Sequence, residues 1–253
     1  CHVNNIAYLQ KNHRTNARDM SNIIASLSQT ERRAYDYDLL EKRYMENQNR
    51  IIDDSEALET LGEKINGRKV LLLAPGKTII SEKEKIQNFI KKENPIVIAV
   101  NAVHQGYDYD YIIFINSVRY QYAKESYETL FNKTKKILLS NIKPDTDENE
   151  VIVNFNSVIK RGWEHFDNAV ICTLRLLSKL GVKNVALAGF DGFKTSYNES
   201  YADSSLPTLN PDGKWAELNE EIKDMFKDFV MSSKDKMTIE FITESIFENC
   251  LGK

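Results

Sequence analysis

Apolar and polar positions follow two different rhythms along the chain. Up to about residue 66, apolar residues recur every three to four positions among charged ones, the period of an amphipathic helix. Ala17, Met20, Ile23, Ile24 and Leu27 share one such face. Leu39, Leu40, Tyr44 and Met45 form the apolar stripe of a charged, tyrosine-rich segment over 38–52. Ser55 is placed to cap a helix through "EALETLGEKI", and Asn66-Gly67 stops it.

Beyond Gly67 the rhythm changes. Near-continuous apolar runs such as "KVLLLA", "PIVIAV" and "NVALAG" alternate with longer segments of helical period. Apolar runs without alternation suit strands buried on both faces, hence a parallel sheet covered on both sides by helices. The pattern predicts strands over 69–74, 96–101, 111–116, 137–140, 151–154, 184–188 and 238–242, and helices over 81–92, 120–132, 167–180 and 211–232. The expected fold class is α/β: a doubly wound, mostly parallel, Rossmann-like sheet over 67–253, preceded by a helical extension over 1–66.

Composition narrows the partners. A formal charge of −3 over 253 residues leaves no basic footprint for nucleic acid or an anionic membrane surface. No apolar stretch nears the roughly 18 residues of a membrane span. The three cysteines, Cys1, Cys172 and Cys250, are odd in number and form no C-x-x-C pair, which suits a reduced, cytoplasmic protein. No cluster of His, Asp, Glu or Cys has metal-ligand spacing; Cys1-His2 alone is short of the three or four ligands a site needs. No metal and no cofactor is implied. The acidic run over 145–150 reads as a solvated loop.

The sharpest chemical signal is "LLLAPGKTI", where Gly76-Lys77-Thr78 follows an apolar strand. These three residues end the P-loop pattern G-x-x-x-x-G-K-[ST]. Its first glycine, however, would fall at Leu71, inside the strand, so the long phosphate-wrapping loop is missing. What remains is a strand, Pro75-Gly76-Lys77-Thr78, and a helix. In an open parallel sheet, ligands sit in the crevice at the carboxyl ends of strands. A glycine lets backbone approach a ligand there, and a helix N-terminus favours an anion. Other strands end in Asn101, Asn116 and Gly189-Phe190-Asp191, which places amides and a carboxylate on the same sheet edge. Each residue alone is also an ordinary cap or turn residue.

The order of these strand ends carries a resemblance. Ala74-Pro75-Gly76-Lys77-Thr78, Val100-Asn101, Ile115-Asn116 and Leu187-Ala188-Gly189-Phe190-Asp191 are similar to the strand-end motifs of bacterial sialyltransferases that use a CMP-activated sugar. They are also similar to those of the related pterin-pyrophosphokinase-like domains. The resemblance runs from Arg68 to the C-terminus. It implies a nucleotide or nucleotide-sugar ligand, with Gly76 and its neighbours near the phosphates. Asn101 and Asn116 would contact the nucleotide or donor sugar, and Asp191 would order the closing loop. Tyr197 and Tyr201 would face the leaving phosphate. The family's histidine base has no counterpart in "SSLPTLNPDGKWAEL" (204–218); Asp203, just before it, or Asp212 within it is the available substitute.

A second resemblance covers the extension. "CHVNNIAYLQ" with "MSNIIASLSQTERRAYDYDLLEKRYMENQ" is similar to the tail that follows the barrel of aldolases like 4-hydroxy-2-oxovalerate aldolase. With a chain that opens on Cys1, this implies the C-terminal module of a fusion whose covalently linked barrel lies upstream. Two functions stay open on the residues. One is a transferase module for a glycosyl or diphosphate group. The other is a non-catalytic docking module, with helices 3–66 packed on the barrel or on a sister chain in a homo-oligomer.

Overall fold

The computed structural model describes residues 3–13, 15, 20, 23–24, 27–34, 36–48, 53–142, 150–160, 162–164, 167–194, 196–208 and 213–252. Asp212, Ala17, Cys1, His2 and most of the acidic run lie outside them.

Among the described residues, four helices with defined bounds come first: α1 (Val3–His13), α2 (Gln29–Ala34), α3 (Tyr37–Gln48) and α4 (Ser55–Ile65). A capping box starts α2: Ser28 N–H donates to Glu31 Oε2 (2.7 Å) while Glu31 N–H donates to Ser28 Oγ (3.2 Å). Leu9, Ile23, Leu27, Leu40 and Tyr44 form a small core of their own, with Met20, Ile24, Leu39 and Met45 half-buried around it. Of the two apolar faces read from the sequence, Ile23, Leu27, Leu40 and Tyr44 are buried in this core; Ala17 lies outside the described residues.

Helix α4 behaves differently. Its Leu61 and Ile65 belong to the main core of the α/β unit, and Asp54 Oδ2 accepts the N–H of Asn154 at 2.8 Å. This helix, grouped with the extension by its period, packs on the sheet. Its N-cap is Asp54, not Ser55, which is the first helical residue. Ser55 instead donates its hydroxyl to Asp53 Oδ1 at 2.6 Å.

The seven strands are β1 (Val70–Leu73), β2 (Ile96–Val100), β3 (Tyr111–Phe114), β4 (Lys135–Leu139), β5 (Glu150–Val153), β6 (Asn184–Ala188) and β7 (Thr238–Phe241). They form one sheet in the order β5-β4-β3-β2-β1-β6-β7, with every pairing parallel. Between them run α5 (Thr78–Ser81), α6 (Lys83–Glu93), α7 (Ser117–Ser126), α8 (Glu128–Lys133), α9 (Ala169–Lys179), α10 (Tyr197–Ser200) and α11 (Trp215–Ser233). The predicted helix 120–132 is two helices, broken at Tyr127, and it starts three residues earlier than its apolar period suggested.

Alternate residues of each strand serve opposite faces. Val70, Leu72, Ile98, Ile113 and Leu187 pack against α4, α9 and α11 through Leu61, Leu174, Met225 and Phe226. Leu71, Leu73, Val97 and Ala186 meet Ile79 and Ile86 on the other face, and Ile112, Phe114 and Leu138 meet Tyr120 and Phe131 beside them. Helices therefore cover both faces of the sheet. No helix among the described residues is long and apolar enough to cross a membrane.

Candidate functional site

After β1 the chain builds β2 to β5 on one side, then returns to lay β6 and β7 on the other. The loops leaving β1 and β6 diverge, so the crevice at a doubly wound sheet's switch point opens at their carboxyl ends. A cavity of about 260 Å³ lies there. Ala74, Pro75, Gly76 and Gly189–Gly192 line one part of it, and Asn101, Asn116, Arg119, Asn141, Asn168 and Tyr201 line another. Ile115, Phe155, Phe190, Phe193, Leu218 and Phe247 supply apolar wall. Residues at four separate strand ends, after β1, β2, β3 and β6, thus line one space.

The β1–β6 part is bonded to itself. Gly76 N–H donates to the Gly189 carbonyl at 2.8 Å. Asp191 Oδ2 accepts the N–H of Thr78 at 2.9 Å, and its Oδ1 accepts the Thr78 hydroxyl. Gly189 N–H donates to Thr243 Oγ1 at 3.0 Å, which ties in the loop after β7. A Cβ on Gly76 would lie 2.4 Å from the Gly189 carbonyl oxygen and 2.5 Å from the Asp191 carboxyl. A Cβ on Gly189, whose φ is +75°, would lie 2.2 Å from the Ala74 carbonyl oxygen. Both glycines are required by the crossing of two loops. The Asp191 carboxylate, not an exogenous anion, receives the first amide of α5. Burial pushes its carboxyl up from the usual range, against the bonds from Thr78 that favour the charged form. Lys77 is exposed, and neither it nor Thr78 lines the cavity.

The β2–β4 part keeps hydrogen-bonding capacity in hand. Asn101 sits in the left-handed region (φ +58°), where asparagine is among the few tolerated side chains. Its N–H donates to the Ile113 carbonyl (2.7 Å) and its Oδ1 accepts from Ile115 N–H (3.3 Å). Asn116 caps α7, its Oδ1 accepting the N–H of Arg119 at 2.9 Å. Asn141, just past β4, donates Nδ2 to the Ile115 carbonyl at 3.1 Å, and its buried Oδ1 has no partner among the described residues. Asn168 caps α9 by accepting from Val170 and Ile171 N–H, so the positive end of that helix borders the cavity. The neighbouring Asp167 carboxylate is neutralised by Arg175, 2.5 Å away.

Arg119 was not legible as a site residue. It lies in the first turn of α7, is only 6% exposed, and lines the cavity. Its guanidinium stacks over the Tyr201 ring at 4.7 Å. Burial pulls its pKa down, and the Tyr201 hydroxyl and the Asp203 charge oppose that shift. Tyr201 itself bridges to the Gly76 backbone and meets the edge of Phe193. Tyr197, also edge-on to Phe193, is buried and is not among the cavity's lining residues.

Two further groups bear on proton transfer. Asp203 Oδ2 accepts hydroxyls from Tyr122 (2.8 Å) and Tyr127 (2.7 Å). Burial raises its carboxyl, but those two hydroxyls, the Ser205 N–H and the Arg119 charge outweigh it and hold it below the usual range. A carboxylate so stabilised is a weak base. His13 and Tyr44 of the extension, stacked at 3.8 Å, also line the cavity, together with Thr15. His13 Nε2 lies 2.6 Å from Glu41 Oε2. His104 lies away from the cavity lining, hydrogen-bonded to the Leu73 carbonyl at 3.0 Å.

Among the described residues no group of His, Cys, Asp and Glu is arranged to hold a metal ion. No protein-family model matches the chain, and no curated protein matches it.

Proposed function

We propose that this crevice binds a nucleotide or nucleotide-sugar, and that the α/β unit is a group-transfer module for such a donor. One observation carries the reading: a cavity at the sheet's switch point, bordered by Asn101, Asn116, Asn141 and Asn168 and walled by Phe155, Phe190 and Phe193. Amides offer donor and acceptor edges to a base or sugar, aromatic and aliphatic walls accept a ring, and a helix N-terminus with a nearby cation suits phosphate.

In this reading Pro75, Gly76, Gly189 and Asp191 form the floor, and Tyr201 is the tyrosine that faces a leaving phosphate. His13 is the one histidine among the described lining residues, and the reading gives it the proton from an acceptor hydroxyl. Glu41 orients it as a carboxylate orients an imidazole base. The resemblances extend the reading to a surface-polysaccharide enzyme joined to an aldolase barrel. An open cavity favours this over the docking alternative, in which the crevice would be filled.

The test is a thermal-shift panel of CMP, UDP, GDP and their sugars. A bound ligand at 100 times its Kd adds ~2.7 kcal/mol, about 5–10 °C for a domain of this size. No shift for any of them at millimolar concentration would remove the nucleotide reading.

A further inference from the structure

Water-accessible arginines need no partner, and buried ones nearly always have a carboxylate. Arg119 breaks that rule. It is more than nine-tenths buried, its Nη1 has no hydrogen-bond partner among the described residues, and it forms no ion pair with any described carboxylate. The acid that acts on it electrostatically, Asp203, is held by two tyrosine hydroxyls. The guanidinium is fixed by stacking on Tyr201 and by its seat in the first turn of α7, whose N-cap is Asn116. Asn141 and the first turn of α9 line the same cavity.

We infer that Arg119 is the anchor of an oxyanion pocket, built to receive a planar or tetrahedral anion through the guanidinium fork. The charge is desolvated in advance and its counter-ion is left to the ligand. Such an arrangement costs stability in the empty protein and returns it on binding, because charge-assisted hydrogen bonds are the strong ones in a low-dielectric site. The Tyr201 ring 4.7 Å away restrains the guanidinium, so less of its freedom is lost when a ligand meets the unpartnered Nη1. The ligand chemistry is an oxyanion borne by a small molecule. Its source is either the phosphate of a nucleotide or the carboxylate of an acidic sugar. The inference rests on the reading that this cavity is the ligand site, but not on the ligand being a nucleotide.

Titration calorimetry on the whole chain separates the cases. CMP, UMP and GMP would each be compared with the corresponding nucleoside, alongside glucuronate compared with glucose. We expect a nucleotide to bind at least tenfold more tightly than its nucleoside, with Arg119→Met erasing that difference and leaving nucleoside affinity unchanged. Arg119→Lys, which keeps the charge and loses the fork, should lose several-fold. If glucuronate alone binds in an Arg119-dependent way, the oxyanion pocket stands with a carboxylate as its ligand, and the nucleotide reading falls. If nucleotide and nucleoside bind alike in the wild type and in both variants, the nucleotide reading stands and the Arg119 inference is overturned. Silence for every probe overturns both. A thermal scan of the ligand-free proteins gives a second readout. Removing an uncompensated buried charge should leave the midpoint of Arg119→Met unchanged or higher. A drop of several degrees in that variant, with full anion affinity in Arg119→Lys, would assign Arg119 a structural part and sink the inference.

Discussion

The two sides of the crevice use the same kinds of residue for opposite ends. On the β1–β6 side, Gly76, Thr78, Gly189 and Asp191 spend their polar groups on one another. On the β2–β4 side, Asn101, Asn116 and Asn141 each use one end of the amide within the protein, and Arg119 has an Nη1 with no partner among the described residues. A glycine followed by a helix start looks like a phosphate cradle because both need close backbone approach. Here the approaching group is the neighbouring loop. The difference teaches that ligand capacity is to be sought where polar groups remain unspent, not where the backbone turn is tightest.

That contrast is open to attack, starting with the clasp. Gly189→Ala places a methyl on the Ala74 carbonyl at a positive φ and should cost about 3–5 kcal/mol, since steric overlap and backbone strain add. Urea denaturation of the purified variant checks it. A midpoint equal to wild type would mean the loops do not cross as tightly as described.

The next effect concerns His104, which burial pulls down to about 4. Its folded value lies below its ordinary value of 6.5, so the stabilisation from keeping it neutral is full above pH 6.5 and is lost as pH falls towards 4. The loss should approach 3 kcal/mol. Stability measured across that window should fall more steeply in wild type than in His104→Gln, which cannot titrate. Parallel curves would show that His104 is not what makes the fold acid-sensitive.

Asn116→Ala removes the cap of α7 and should cost about 1 kcal/mol, while also loosening the turn that seats Arg119. The smallest stability change is expected for Asn141→Ala, under about 1 kcal/mol, because one end of that amide is already unpaired. If the β2–β4 side is the ligand side, Asn141→Ala should still weaken nucleotide binding about tenfold, read by calorimetry. A large loss of stability with intact binding would reverse the assignment of the two sides.

Most of the architecture was legible because its signal is local. All seven strands fall within two residues of their predicted bounds, since strands buried on both faces leave unbroken apolar runs. Asn101 and Asn116 were visible as polar residues terminating such runs. Asn141 obeys the same rule one residue past "ILLS" but belongs to none of the strand-end motifs that carry the resemblance. Arg119 was hidden for a different reason. It falls one residue before the helix predicted over 120–132, and burial of a charge depends on tertiary placement, which periodicity does not encode. The packing of α4 on the sheet was equally invisible, because an apolar face says that a partner exists and not which one.

The strand order also fixes a timetable. Val70 of β1 lies beside Ile96 of β2 on one flank and beside Val185 of β6 on the other. As the chain leaves the ribosome, β1 to β5 can pair successively with what is already made, whereas the second flank of β1 must wait for most of the protein to be synthesised. The asparagine wall can therefore form long before the loop it faces. Until β6 docks, the flank of the central strand is a bare apolar edge, the place where a half-made molecule is most prone to join another.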